Sequence, residues 1–348
     1  VFKGELAMFK TVLVPLDGSL RAEYALPIAA QIARHTGGML VLVRVVSFAT
    51  EYWPMVPAPA PPVMRSAVDG ELQEAAIYLK HVASSAQLEG IEAITIARHG
   101  VTAPVILAVA TEYHADLIVM GSHGHTGVAH VLLGSVAEKI ARHASVPVLV
   151  LREKVGFPAM NPAEVAQPLR ILVSLDGSTY AHAALEPSAE LLSALAAPAQ
   201  KMALHLLRVI EPAADQKEEA QVAQHKSLSR ARSYLGHITD LIRDGYIAPS
   251  ISRQQILVNW SVALDHDYAN AIVRVTENGE DVEGVGVFGG CDLIAMATHG
   301  REGLQRWTMG SVTERVLHAT KRPLLIVRSA AVGEEWGTSF DEKESIIG

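Results

Sequence analysis

Short apolar runs alternate with amphipathic segments along nearly the whole chain, the order that a parallel α/β sheet requires. Thr11 to Leu16, TVLVPL, reads as a buried strand that ends at Asp17-Gly18-Ser19. From Leu20 to His35, apolar residues at Ala22, Leu26, Ala29, Ala30 and Ala33 recur at helical spacing. Met39 to Val46 is a second strand. Ser47 to Val63 is then too rich in proline for regular structure and reads as a loop or lid, in which Tyr52 and Trp53 either cover a ligand or dock on their own domain. The pattern continues with a helix at Ser66 to Leu88, a strand at Ala93 to Ala97 and a helix at Ala103 to His114. A strand at Leu117 to Met120, a glycine loop, a helix to His143 and a strand at Val146 to Arg152 complete the first half. After Glu153 to Pro168, the second half predicts strands at Arg170 to Leu175, Met202 to Val209, Ile251 to Val258, Asp292 to Ala297 and Pro323 to Arg328. Its helices fall at Ala181 to Ala196, Lys217 to Arg243, Tyr268 to Glu277 and Val312 to Ala319.

The two halves are copies. LVPLDGS at Leu13 to Ser19 returns as LVSLDGS at Leu172 to Ser178, and LIVMGSHGHTGVAHVLLGSV at Leu117 to Val136 returns as LIAMATHGREGLQRWTMGSV at Leu293 to Val312. Nine residues separate Gly124 from Gly134, and nine separate Gly300 from Gly310, although Ala297 stands where the first copy has Gly121. The offset is 159 residues at the aspartate motif and 176 at the glycine motif, so the second copy is about 17 residues longer. Five of the extra residues precede the second strand and twelve precede the fourth, the latter assigned to a glycine-rich surface insertion at Asn278 to Gly290. A strand followed by a glycine loop and a helix start suits phosphate. Residues without Cβ let backbone N–H groups approach a ligand, and a helix N-terminus presents unpaired donors. No GxGxxG follows the first strand and no GxxxxGK[ST] occurs, which excludes a dinucleotide fingerprint and a Walker loop.

These motifs resemble the universal stress proteins in their tandem two-domain form, whose signature Gly-x2-Gly-x9-Gly-Ser/Thr is met in full by Gly121, Gly124, Gly134 and Ser135. The resemblance implies two doubly wound, five-stranded parallel sheets of order 3-2-1-4-5, at residues 9–152 and 169–328, with 153–168 a linker and 329–348 an acidic tail. It implies ATP with Mg²⁺ in a crevice at the strand ends. Adenine would lie against Pro15, Asp17 and Val45, with Met120 and Gly121 nearby and phosphates on Gly124, Gly134, Ser135 and Val136. The matches in the second copy are Ser174, Asp176, Val209, Met296, Ala297, Gly300, Gly310, Ser311 and Val312. Asp17 and Asp176 either help to hold Mg²⁺ or cap a helix start. His123 and His299 support the loop or touch the phosphate end. His125 and His130 do not repeat, and no cysteine or carboxylate cluster joins them to suggest zinc. The glycine loops contain no lysine and no positioned base, their cations being Arg301 and Arg306 of the second loop, so turnover of ATP is expected to be slow at most. The resemblance also implies a pseudo-dimeric chain joined through strand-five edges, with a homodimer as a further assembly it allows, and a nucleotide-dependent sensor or regulator with an unidentified protein partner. A slow ATPase or self-phosphorylating enzyme, and an adaptor of the same fold that binds no nucleotide, are the alternatives.

Composition narrows the setting. The 348 residues suit two domains, and a net charge of −8 disfavours nucleic acid or an anionic membrane as partner. Half of that charge lies in the last twenty residues, which are expected to form a solvated tail. A single cysteine, Cys291, permits no internal disulfide, and no apolar run is long enough to span a bilayer, so a cytoplasmic location is expected. The residues before Met8 precede the first patterned strand and are read as an extension outside the fold.

Overall fold

The computed structural model describes residues 8–47, 62–122, 133–152, 167–213, 217–282, 286–298 and 309–329. The proline-rich segment with Tyr52 and Trp53, most of both nine-residue loops, nearly all of the linker and the acidic tail lie outside the described residues. The chain forms two compact units, residues 1–153 and 154–348.

In the first unit the strands are β1 (Thr11–Pro15), β2 (Met39–Val46), β3 (Glu92–His99), β4 (Leu117–Gly121) and β5 (Val148–Leu151). All pair in parallel, in the order β3-β2-β1-β4-β5. Parallel neighbours need crossovers, and the right-handed rule places the helices on both faces. The helices are α1 (Leu20–Glu23), α2 (Ala25–Thr36), α3 (Pro62–Ala83), α4 (Thr102–Glu112) and α5 (Ser135–His143). Of these, α2 and α3 cover one face, while α4 and α5 pack together on the other. The strands carry the core, with Val12, Leu13, Val14, Leu40, Leu42, Leu117, Ile118 and Leu149 essentially without solvent contact. Apolar runs buried on both faces are what a covered parallel sheet selects.

The second unit repeats the plan with β6 (Leu169–Ser174), β7 (Met202–Ile210), β8 (Leu257–Leu264), β11 (Leu293–Ala297) and β12 (Leu324–Val327), ordered β12-β11-β6-β7-β8. Its helices are α6 (Leu185–Leu195), α7 (Glu218–Arg243), α8 (Pro249–Arg253), α9 (Tyr268–Asn278) and α10 (Ser311–Ala319), with α6 and α7 on one face and α9 and α10 on the other.

Four expectations need correction. The helix expected from Leu20 breaks at Tyr24 into a single turn and α2. In the second copy the matching stretch starts as a 3-10 turn, Thr179–Ala184, before α6. The helix expected to reach Leu88 stops at Ala83, where Ser84 Oγ donates to the Lys80 carbonyl (2.9 Å), and Ala86–Leu88 is a separate 3-10 turn. The strand expected at Ile251 to Val258 lies further on, at Leu257–Leu264. Pro249 opens the short helix α8 with its ring at the first turn, where no N–H is needed, and Ser252, Arg253 and Gln254 supply none of the period-two apolar pattern of LVNWSVAL. The long insertion is ordered in part. From His99 to Leu117 is 18 positions but from Leu264 to Leu293 is 29, and the added chain includes an antiparallel hairpin, β9 (Glu280–Val282) with β10 (Gly286–Phe288).

Candidate functional site

The strand order reverses between β1 and β4, and between β6 and β11, where an open parallel sheet leaves a crevice beyond its carboxyl ends. Register brings the motifs together there: Leu13 lies opposite Ile118, and Val173 opposite Ala295. Pro15 and Asp17 therefore come beside Met120 and Gly121, and Ser174 and Asp176 beside Met296 and Ala297.

Each aspartate organises a turn. Asp17 Oδ1 accepts from the Ser19 amide (2.9 Å) and hydroxyl (2.6 Å), and Asp176 Oδ1 accepts from the Ser178 amide (2.9 Å) and hydroxyl (2.7 Å). Between them Gly18 and Gly177 take φ of +89° and +91°, a left-handed conformation that glycine adopts without a Cβ clash. The serines are the helix caps, accepting from Ala22 N and Ala181 N. The cap alternative for the aspartates is thus corrected by one step, because each carboxylate holds the capping serine rather than the helix itself. Among the described residues, neither aspartate belongs to a cluster of three closely spaced carboxylate, histidine or cysteine ligands.

The glycine before each of the helices α5 and α10 serves differently from expectation. Gly134 N–H donates to the Ser122 carbonyl and Gly310 N–H to the Thr298 carbonyl, both at 2.7 Å, so these donors close the loop and do not face a ligand. A Cβ on Gly310 would sit 3.1 Å from the Thr298 oxygen, tighter than an ordinary contact, so glycine relieves crowding there. The intrahelical bonds begin at Glu138 N and Glu314 N. The first-turn amides at Ser135, Val136 and Ala137, and at Ser311, Val312 and Thr313, therefore carry the helix's positive end. Thr313 Oγ1 donates to the Ala297 carbonyl (3.0 Å) and ties that turn to the strand end.

In the second unit these pieces surround a cavity of about 600 Å³. Ser174, Asp176, Val209, Met296, Ala297, Gly310, Ser311 and Val312 line it. His299 and Gly300, like His123 and Gly124 in the first unit, lie outside the described residues. The Ala297 methyl is part of the wall and leaves this volume open. The walls also include side chains that motif reading passed over: Arg208 and Glu211 at the end of β7, Ser227 and Arg230 on α7, and Tyr268 and Ile272 on α9. Cations outside the glycine loops, Arg208 and Arg230, are therefore present at the cleft.

One assembly recurs in both units. The Arg44 guanidinium carbon lies 5.0 Å from the centroid of the Tyr78 ring, and Arg208 lies 4.9 Å from that of Tyr234. The Tyr78 hydroxyl donates to Glu23 Oε1 (2.8 Å), while the Tyr234 hydroxyl shares a 2.8 Å bond with His182 Nε2. Burial and the Glu23 carboxylate raise the Tyr78 pKa, and burial lowers that of His182. The signal was available in the sequence, since Arg44-Val45 and Arg208-Val209 close the second strand of each copy.

Comparison with known proteins agrees with the duplication. The model of the family described as "Universal stress protein family" matches residues 8–152 and 288–328, more than half of the chain. The chain belongs to the universal stress protein family. A universal stress protein of Methanocaldococcus jannaschii is 35% identical over 149 residues, 42% of this chain and 84% of the relative. One of Mycobacterium tuberculosis is 27% identical over 331 residues, 92% of this chain and 97% of the relative, so the similarity spans both copies. Among solved structures, a universal stress protein of Archaeoglobus fulgidus shares the fold, with a TM-score of 0.58 at 19% identity, covering 92% of this chain and 99% of that one. Among the described residues, no helix is long and apolar enough to cross a membrane.

Proposed function

We propose that this universal stress protein binds an adenine nucleotide at the strand ends of its units and that occupancy regulates its association with a protein partner. The cavity of the second unit carries the reading. Its volume is in the range of small-molecule sites, roughly 300–1,000 Å³. Apolar Val209, Ile272 and Met296 would receive a base, and the α10 first turn would receive phosphate. Mg²⁺ would arrive with the phosphates, with Asp176 as the nearest carboxylate of the motif. The first unit offers the matching strand-end positions, with Pro15 for Ser174 and Gly121 for Ala297, and the α5 first turn. Binding rather than turnover is the proposed activity. The arginines supply charge, but the carboxylate at the strand end is engaged by Ser178 rather than poised as a base.

The test is thermal unfolding of the full chain with and without MgATP. A ligand bound by the folded state alone stabilises by mass action, by about 2.7 kcal/mol at a hundred times its dissociation constant. Saturating MgATP is expected to raise the melting temperature, and Gly310→Val to reduce that rise by crowding the Thr298 carbonyl. An unmoved melting temperature in the unmutated protein would overturn nucleotide binding in favour of an adaptor. Phosphate release at about 1 s⁻¹ or faster would favour an ATPase.

A further inference from the structure

Two cations in the second cleft are not used by a nucleotide held only at its 5′-phosphates. Arg208 is fixed against the Tyr234 ring, and Arg230 stands on α7 four residues before Tyr234, hence on the same helix face. Both line the same cavity. The equivalent positions of the first unit are set by strand register and by the shared Arg-Tyr stack. Met39 pairs with Thr11 as Ala203 pairs with Arg170, which aligns Arg44 with Arg208, and Tyr78 aligns with Tyr234. Four residues before Tyr78 is Glu74, and the partner of the Tyr78 hydroxyl is Glu23. Two carboxylates around the first stack are therefore replaced around the second by a guanidinium and an imidazole. Burial disfavours the charged form of that imidazole, so the change removes two negative charges and adds one positive. Among the described residues that line the second cavity, the carboxylates are Asp176, whose Oδ1 is hydrogen-bonded to Ser178, and Glu211, exposed at the end of β7.

The arginines and the α10 first turn approach the strand ends from opposite faces of the sheet, because α7 and α10 cover opposite faces. We propose that Arg208 and Arg230 form a second anion subsite, so that the second unit recognises a nucleotide with phosphate at both ends of its ribose, a nucleoside 3′,5′-bisphosphate in chemical class. One phosphate sits at the α10 first turn and the other between the guanidinium groups, which match phosphate geometry through several N–H donors. The Tyr234 ring and its bond to His182 are positioning elements that hold Arg208 in place. The proposal rests on nucleotide binding at this cleft and adds to it the class of ligand.

Calorimetric titration of the full chain with adenosine 5′-monophosphate and with adenosine 3′,5′-bisphosphate tests it. One site per chain is expected to favour the bisphosphate by about tenfold or more, the size of a charge-assisted contact. That ratio is expected to fall toward one in Arg230→Gln, a change at an exposed helix position that the fold tolerates, and in Arg208→Gln. If the monophosphate binds and the bisphosphate gains nothing, or if the ratio is indifferent to both arginines, the second subsite is wrong and nucleotide binding stands. If neither nucleotide binds, both readings fail.

Discussion

Val41, Ile94 and Ile96 in the first unit occupy the same register positions as His205, Asn259 and Ser261 in the second, since Val41 pairs with Ile94 and His205 with Asn259. One trio is apolar. The other is a hydrogen-bonded set in which His205 Nδ1 meets Asn259 Oδ1 and Nε2 meets Ser261 Oγ, each at 2.9 Å. Val41 and His205 are equally hidden, at 0% and 1% exposure, so a duplicated sheet has met one packing problem in two ways. A buried polar group is tolerated where each of its atoms finds a partner. The cost appears only when a partner or a protonation state changes.

The largest expected divergence is therefore in acid. Burial holds the His205 pKa down at about 4, with the Asn259 bond opposing that shift and Arg170 adding to it. The unfolded chain binds a proton at about pH 6.5, so between pH 6.5 and 4 it holds more protons than the folded one. Stability is full above that window and declines as pH falls through it, by about 3 kcal/mol in total. Hydrogen exchange on the intact chain should show β7 and β8 losing protection by pH 4.5 while β2 and β3 keep it. Replacing the trio, His205→Val with Asn259→Ile and Ser261→Ile, should flatten the difference. Equal acid sensitivity of the two sheets would mean that His205 does not govern it.

A smaller contrast concerns the tyrosines. Tyr78→Phe takes a donor from a carboxylate and Tyr234→Phe takes a partner from a neutral imidazole, so the first should cost about 2 kcal/mol and the second about 1 kcal/mol. Denaturant midpoints of the two variants measure the gap, and a larger loss for Tyr234→Phe would reverse the assignment of charge to the two stacks. The smallest contrast should be none. Ser19→Ala and Ser178→Ala each remove a cap from the same Asp-Gly-Ser turn and should lose about 1 kcal/mol apiece. Unequal losses would show that the turns are not equivalent.

Much of the fold was legible because duplication doubled each signal. The strands beginning at Thr11, Met39, Leu117 and Leu293 are apolar runs bounded by glycine or aspartate, and no other element type explains them. β8 was misplaced because its apolar residues are interrupted by Asn259 and Ser261, the residues that satisfy His205, and a polar pair facing a buried histidine is invisible to periodicity. The strand-end half of the cleft was equally legible, since Asp176, Gly310 and Ser311 sit in motifs. Arg230 and Tyr268 were not, because α7 and α9 bring them in from segments with no motif. What the motif did not reveal is that the Gly134 and Gly310 N–H groups are spent on the strand-end carbonyls, because glycine's small size serves a close backbone contact as well as it serves a ligand.

That contact has an architectural consequence. The bonds from Gly134 to Ser122 and from Gly310 to Thr298 act as a clasp, joining the residue that leaves the strand to the residue that starts the helix. The clasp sets the helix start relative to the strand end in both copies. Sequences as different as HGHTGVAHVL and HGREGLQRWT, equal in length, join the two ends of the clasp in the two copies.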